Sequence, residues 1–565
     1  MIGRLSESCL ISLGLVVCMQ MAAALSHKHK SFSGAAEKPA SILVSMSDPT
    51  STRSRSEQMA AIARALGSRG HSITYLIPAN KDPSSIGVRG SDVRDSGKVV
   101  SYDVVFQQAD IDRLKVDYLS SSVGVRAAGN LSLADQMSRP IKSNPLLIFN
   151  RYLDFFVKSC DGIFSDSESL GRLERTKFDL LLHDAFNPCD FLIGTYLGIP
   201  YVTMTTSIRF YYANEATYAI PAPSSYVPFD LGRAFTDEMT FKQRLVNFLS
   251  WNFVRPILTS YAFSSFDIIR QKHNVSVGHS WTQMSSSSLL WLANRDATLD
   301  FAKPLAPNVV QIGGLLRESS KLLSQDLNEF IQGAGNHGVI VFSLGSMVTS
   351  LMREDLNELF AEVFSDLPQR VIWRFVGPPP RKLGNNTRLM EWLPQNDLLG
   401  HPQTRLLIYH GGINGVYEAI YHKVPMVLLP IFADQPAIGA RVSKKGMGVV
   451  LDRATLTYAT VKGAIEEVIH DTKYKVNVEH YGAIHHHSLA SPLDTAVFWI
   501  EHVLNFGGSH LRLRGSDLSF IVLNSVDVVA FMIVVLVVAI YINYLVLRTC
   551  CRLCCSKKKS KLKAE

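Results

Sequence analysis

Between Trp392 and Gln435 the chain reads WLPQNDLLGHPQTRLLIYHGGINGVYEAIYHKVPMVLLPIFADQ, and its polar residues fall where a ligand could use them. Trp392, two residues before Pro394, can present a flat face to a heterocyclic base. Stacking of a base on an aromatic ring is worth about 1–3 kcal/mol. Gln395, close by, can bond a base edge or a ribose. His410 ends an apolar run, and Gly411-Gly412 lets the backbone approach a ligand closely. A helix opening at Ile413 or Asn414 would aim free N–H groups and the positive end of its dipole at the same point, where phosphate binds readily. His410 and Asn414 add side-chain donors for a diphosphate. Ser346, after the Ser343-Leu344-Gly345 turn, is placed to add another. Glu418 follows Asn414 by one helical turn, on the same face, where its carboxylate can take both hydroxyls of a ribose. The segment closes on Asp434-Gln435. These parts could hold a nucleotide, its phosphates and a sugar in one crevice.

The order and spacing of WxPQ, HGG, Asn414, Glu418 and Asp434-Gln435 resemble the donor signature of the UDP-glycosyltransferases, in particular the membrane-bound UDP-glucuronosyltransferase group. The resemblance is strongest over 338–505 and covers nearly the whole chain. It assigns donor contacts to Ser346, Trp392, Gln395, His410, Gly412, Asn414, Gly415 and Glu418, and sugar hydroxyls to Asp434 and Gln435. Gln435, rather than His, favours a gluco-configured donor. The Gly-Arg-Pro of the inter-domain stretch is replaced by Val277-Gly278-His279, which leaves UDP-glucose open beside UDP-glucuronate. The implied activity is inverting transfer of glucuronate or glucose from a UDP-sugar co-substrate to a small lipophilic acceptor. No separate cofactor is implied, and no DxD-like metal cluster lies near the donor motif. Asn414 and the helix terminus would stabilise departing UDP instead.

On the acceptor side, Asp184 in HDAFNPC matches the family's catalytic aspartate, which orients a histidine base. That histidine lies 16 residues before the His of an Arg-Gly-His turn. Counting back from His71 gives Arg55, in Ser54-Arg55-Ser56. Arginine stays protonated at physiological pH and cannot act as general base. Three consequences stand open: acceptors that need no deprotonation, such as amines; another base, such as Asp184 acting through water; or a UDP-sugar-binding pseudoenzyme that modulates related transferases by forming oligomers. A lipid or sterol carrier is a further alternative, and would need no Glu418.

The elements that must position these residues alternate strand and helix. SILVSM, a helical pattern around Met59–Leu66, the Arg69-Gly70-His71 turn and SITYLI form one such unit. FDLLLHDAFNPC, a helix around Phe191–Leu197 and IPYVTM form another. Such units build a parallel sheet. VIVFSLGS, an amphipathic helix over 354–365, RVIWRF, LLIYH, INGVYEAIYH and VPMVLLP restart the pattern, with continuously apolar strands expected of a doubly covered sheet. The predicted fold class is α/β: an acceptor domain over 27–325 and a donor domain over 326–510. The resemblance implies the GT-B arrangement, two facing Rossmann-like domains plus a C-terminal transmembrane helix. The apolar stretch 245–269 reads better as a pair of core helices than as a lipophilic acceptor wall or a membrane-contacting surface.

At 565 residues the chain exceeds one compact core, and 47% hydrophobic with 19% charged residues fits a globular protein carrying membrane segments. Residues 1–24, with Arg4, an apolar run and Ala22-Ala23-Ala24, form a signal peptide pattern. Val528–Leu547 is 20 uncharged residues, long enough to cross a bilayer. The tail 548–565 holds seven Lys/Arg and one Glu, which accounts for +6 of the chain's +8. That charge argues for a cytosolic end and gives no basic, aromatic face for nucleic acid. Lys561 and Lys563 resemble a dilysine retrieval signal. Together these predict a single-pass type I protein of the endoplasmic reticulum membrane with a luminal body. Only Cys160 and Cys189 lie in that body, which excludes a disulfide scaffold. Cys550, Cys551, Cys554 and Cys555 favour palmitoylation over zinc. Asn130, Asn274 and Asn385 head glycosylation sequons.

Overall fold

The computed structural model describes residues 39–46, 53–90, 97–104, 145–205, 220–229, 233–275, 278–345 and 354–561, with Asp92, Phe106, 109–111 and 113. The signal segment, Asn130, Val277 and Ser346 lie outside the described residues.

Two parallel sheets carry the molecule. The first contains β1 (Ser41–Ser45), β2 (Ser72–Pro78), β3 (Gly97–Tyr102), β4 (Leu180–Asp184), β5 (Tyr201–Thr205), β6 (Leu290–Ala293) and β7 (Val309–Gln311), in the order β3-β2-β1-β4-β5-β6-β7. The second contains β8 (Val339–Ser343), β9 (Arg370–Arg374), β10 (Thr387–Met390), β11 (Thr404–Tyr409), β12 (Met426–Leu428) and β13 (Gly448–Val450), in the order β10-β9-β8-β11-β12-β13. Both orders reverse direction once, beside the first strand, as in doubly wound folds, and ligands bind at that reversal. In the first sheet it lies between β1 and β4, where Val44 pairs with Leu182. In the second it lies between β8 and β11, where Ser343 pairs with Tyr409.

Every residue of β5 and of β8 is buried, because helices cover both faces. One face of the first sheet packs Leu181, Tyr201 and Trp291 against the Pro145–Ser165 and Cys189–Leu197 helices. Cys160 and Cys189 are bonded to each other and tie those two helices together. The other face packs Ile42, Ile73 and Leu182 against the Arg53–Ser68 helix. In the second sheet, Phe342, Phe364 and Trp373 fill one face and Val341, Leu407 and Ile420 the other.

Two expectations are corrected. The span 326–510 does not stay with the second sheet. The Pro492–Phe506 helix crosses back, and its Ala496, Val497, Ile500 and Val503 are buried in the first sheet's core. Arg69 holds it there through both oxygens of Glu501 (2.5 and 2.8 Å). Apolar spacing shows that a helix buries one face, but not against which sheet. The stretch 245–269 is only partly core: Ala262, Phe263, Phe266 and Ile269 are buried with the first sheet, and the rest of its apolar surface is not. The Phe241–Leu249 helix runs through a π-helical turn, Ser250–Val254, into the Arg255–Ser264 helix, whose proline sits in the first turn where it breaks nothing. Its inner side is fixed by Asn247, which bonds Phe229 N, Ser224 O and Val227 O, and by Trp251. Phe241, Phe253, Ile257 and Ile268 stand more than half exposed.

The chain ends in a 36-residue helix, Val526–Lys561. Its segment Val526–Arg552 is long and apolar enough to span a membrane, and none of it is buried against the rest of the protein.

Candidate functional site

The described donor-side residues follow the C-terminal ends of β10, β11 and β12. β11 ends at Tyr409, and His410 follows. Gly411 has φ +88°, a left-handed conformation open to glycine at no steric cost. Gly412 then caps the Ile413–Tyr421 helix with no side-chain hydrogen bond, so no cap side chain covers this helix start. The two flanking turns press on the His410 ring. A Cβ on Gly345 would lie 2.6 Å from His410 Cε1, and one on Gly412 would lie 2.7 Å from His410 Nε2. Desolvation, with the Arg374 charge second, pulls the imidazole down to about 3, so His410 is neutral. Its Nδ1 is buried without a hydrogen-bond partner among the described residues. Gly415, one turn into the helix, lets it pack on Tyr409, whose ring atoms a Cβ would meet at 2.5 Å.

Trp392 is 53% exposed, and the Arg374 guanidinium sits 4.5 Å from its ring centroid. Arg374 was not singled out from the sequence. The available signal was its place at the end of β9, beside the reversal point. Gln395 donates from Nε2 to Glu418 Oε2 at 2.6 Å, joining the two residues expected at the base and ribose. Desolvation pushes the Glu418 carboxyl up to about 7; Glu57 and Asp397 push the same way, and the Gln395 bond opposes them.

Three donor-side residues have partners that sequence reasoning missed. Asn414 reaches across to the first domain: its Oδ1 accepts from Gln58 Nε2 (2.6 Å) and Asn294 Nδ2 (3.1 Å), and its Nδ2 donates to Ser54 O (3.2 Å). Asp434 pairs at 3.3 Å with Arg295, which is 1% exposed and also meets Asp300 at 3.2 Å. Arg441 completes this buried cluster at 2.8 Å from Asp300. Gln435 is 4% exposed, and its Oε1 accepts from the Ile431 and Phe432 backbone N–H groups (2.8 and 3.1 Å), which shapes the loop before its helix. That oxygen is therefore committed to the loop. No local pattern announces these contacts, since most join residues more than 100 positions apart.

On the acceptor side Arg55 and Asp184 are neighbours. Arg55 Nη1 lies 3.6 Å from Asp184 Oδ2, each side chain 14% exposed. The Arg55 guanidinium stacks 3.9 Å from the Phe186 ring centroid. Asp184 Oδ1 accepts from Phe186 N at 2.9 Å, which fixes the carboxylate at the end of β4. His183, the neighbouring imidazole, faces the core. It is fully buried on Thr203 (2.8 Å), and desolvation pulls it down to about 3. His71 is structural: Nδ1 accepts from Ala40 N and Nε2 meets Glu501 at 3.3 Å. The His279 carbonyl accepts from Arg270 Nη2 at 2.5 Å.

Two doubly wound domains with a phosphate-ready helix terminus at one reversal point define a GT-B glycosyltransferase. Solved structures agree on the fold: a kitacinnamycin glycotransferase and CalG4, the calicheamicin glycosyltransferase, each superpose with a TM-score of 0.51 at 18% and 17% identity. Both cover 83% of this chain and 99% of their own. Residues 44–561 match the family described as UDP-glucoronosyl and UDP-glucosyl transferase, and the chain belongs to that family. Human UDP-glucuronosyltransferase 2A2 is 39% identical over 73% of this chain and 75% of its own length. The rabbit (Oryctolagus cuniculus) 2B14 enzyme is 35% identical over 82% and 85%. The rat (Rattus norvegicus) 2B1 enzyme is 34% identical over 88% and 92%. The protein is a glycosyltransferase that uses a UDP-sugar. Nothing in these comparisons favours a pseudoenzyme.

Proposed function

We propose that this chain transfers glucuronate or glucose from UDP to a small lipophilic acceptor, with inversion at the anomeric carbon. The observation that carries the proposal is the uncapped helix start at Gly412, set between the exposed Trp392 and the Gln395–Glu418 pair. Uracil would stack on Trp392, the ribose would bond Glu418, and the diphosphate would take the N–H groups of the Gly412 turn. Charge developing on departing UDP meets a preformed positive end. Asp434, beside buried Arg295, would face the sugar. The acceptor would enter past Arg55 and Asp184.

The proposed setting is the endoplasmic reticulum membrane, with the body luminal and Val526–Arg552 as anchor. The Cys160–Cys189 bond suits an oxidising lumen. Asn274 and Asn385 are exposed, as glycan acceptors must be. The exposed apolar face on the Phe241–Leu249 and Arg255–Ser264 helices, edged by Lys242 and Arg244, suits contact with a lipid surface.

The test uses microsomes carrying the full chain, offered UDP-glucuronate, UDP-glucose and UDP-N-acetylglucosamine against an acceptor panel, with conjugate and free UDP measured. Conjugate from one of the first two donors supports the reading and names the sugar. Conjugate from UDP-N-acetylglucosamine alone, or donor binding with no conjugate, defeats it.

A further inference from the structure

We propose that the acceptor site is built for nucleophiles that arrive already ionised, above all carboxylic acids, and that Arg55 is the residue that receives their carboxylate. The inference rests on the transferase reading and names its acceptor class. A neutral phenol or alcohol must lose its proton as it attacks, and among the described residues beside Arg55 no histidine stands free to take it. Asp184 is engaged by the Arg55 guanidinium at 3.6 Å and by the Phe186 N–H at 2.9 Å. His183 is sealed in the core. A carboxylic acid has given up its proton in bulk water, with an ordinary pKa near about 4. An amine avoids the deprotonation too, but becomes positive as it attacks, next to a permanent cation.

Guanidinium is the side chain best matched to a carboxylate, because its planar fork can bond both oxygens. Stacking on Phe186 at 3.9 Å holds that plane in one orientation. The Arg55–Asp184 distance of 3.6 Å is longer than a hydrogen bond, and a bidentate carboxylate–guanidinium pair is stronger than such a contact. The step balances without proton transfer. A carboxylate oxygen lone pair forms the bond to the sugar's anomeric carbon. The bond from that carbon to the β-phosphate oxygen breaks, its electron pair leaves with UDP, and the negative charge passes from acceptor to UDP. The product is a glycosyl ester.

The test compares three acceptors of one shape, 4-phenylbenzoic acid, 4-phenylphenol and 4-phenylaniline, with the full chain in detergent and saturating donor. Hydroxylamine cleaves an ester conjugate to a hydroxamate and leaves the phenol glycoside intact. The expected result is ester formation with a kcat/KM at least about tenfold above that of the phenol or the amine, the scale of one charge-assisted hydrogen bond. Arg55→Gln should raise KM for the acid about tenfold or more with little change in kcat, and Arg55→Lys should recover part of the loss. A UDP-induced rise in Tm in both variants certifies their folding. Phenol or amine conjugates at equal or higher kcat/KM would overturn the inference while leaving the transferase intact. An unchanged KM in Arg55→Gln would also overturn it. No conjugate from any acceptor would overturn both readings.

Discussion

Gln58 Nε2, on the first domain, donates to Asn414 Oδ1, on the second, at 2.6 Å across the cleft. The same Asn414 stands at the helix start where the diphosphate is expected. Gln58 occupies its Oδ1, which leaves Nδ2, bonded to Ser54 O at 3.2 Å, as the donor a phosphate oxygen would take. Both substitutions should therefore weaken donor binding. Asn414→Ala removes the donor and should raise donor KM about fivefold or more, while Gln58→Ala only frees the carboxamide to rotate and should cost less. Donor KM for both variants checks this. Tighter binding in Gln58→Ala would mean that the bridge hinders the donor.

Trp392→Ala should raise donor KM by roughly ten- to a hundredfold through lost stacking, with kcat for bound substrate nearly unchanged. Because the ring is 53% exposed, Tm should hold. A fall in Tm comparable to that of a core truncation would give the indole a packing role instead.

Glu418 predicts a pH dependence. Its folded value of about 7 lies above the ordinary carboxyl value of 4.5. The folded protein therefore binds this proton more tightly than the unfolded chain. The stability this contributes is present below about 4.5 and is lost as pH rises towards about 7. Donor binding should run the other way, because ribose hydroxyls need an ionised acceptor. Affinity should improve as pH rises through about 7. Isothermal titration with UDP across that window checks the sign, and Glu418→Gln should flatten the profile.

The returning helix should prove essential to the first domain. Ile500→Ala removes a fully buried side chain and should cost about 2–5 kcal/mol, read as a drop in Tm. Truncation before Pro492 should expose the core that Val497 and Val503 cover and give aggregates. Truncation after Leu518 should leave a folded body.

Legibility followed the range of the interactions. β8, the Glu354–Ser365 helix and the turn at His410 were readable because strand runs, helical spacing and glycine pairs are local. Arg55 could be placed opposite Asp184 only through the resemblance, since the two are far apart in the chain. The Arg295–Asp300–Arg441 cluster, the loop-bound Oε1 of Gln435 and the bridge from Asn414 were not readable. A long polar side chain looks the same in sequence whether it meets a ligand or a residue from another domain. Phe241 and Ile257 misled for a related reason: composition reports apolar area but not which side of a helix has a partner.

Arg317 Nη1 donates to His485 O at 2.7 Å and its Nη2 to Ser488 Oγ at 3.1 Å. The outward passage of the chain, between β7 and the Gln325–Gln332 helix, is thus pinned beside the return passage that precedes the Pro492–Phe506 helix. Two cords stitched side by side restrain twisting and sliding of the halves more than one cord would, and the buried pairs Arg295–Asp434 and Arg441–Asp300 hold the same junction. A protease that severs either cord alone would leave the two halves joined.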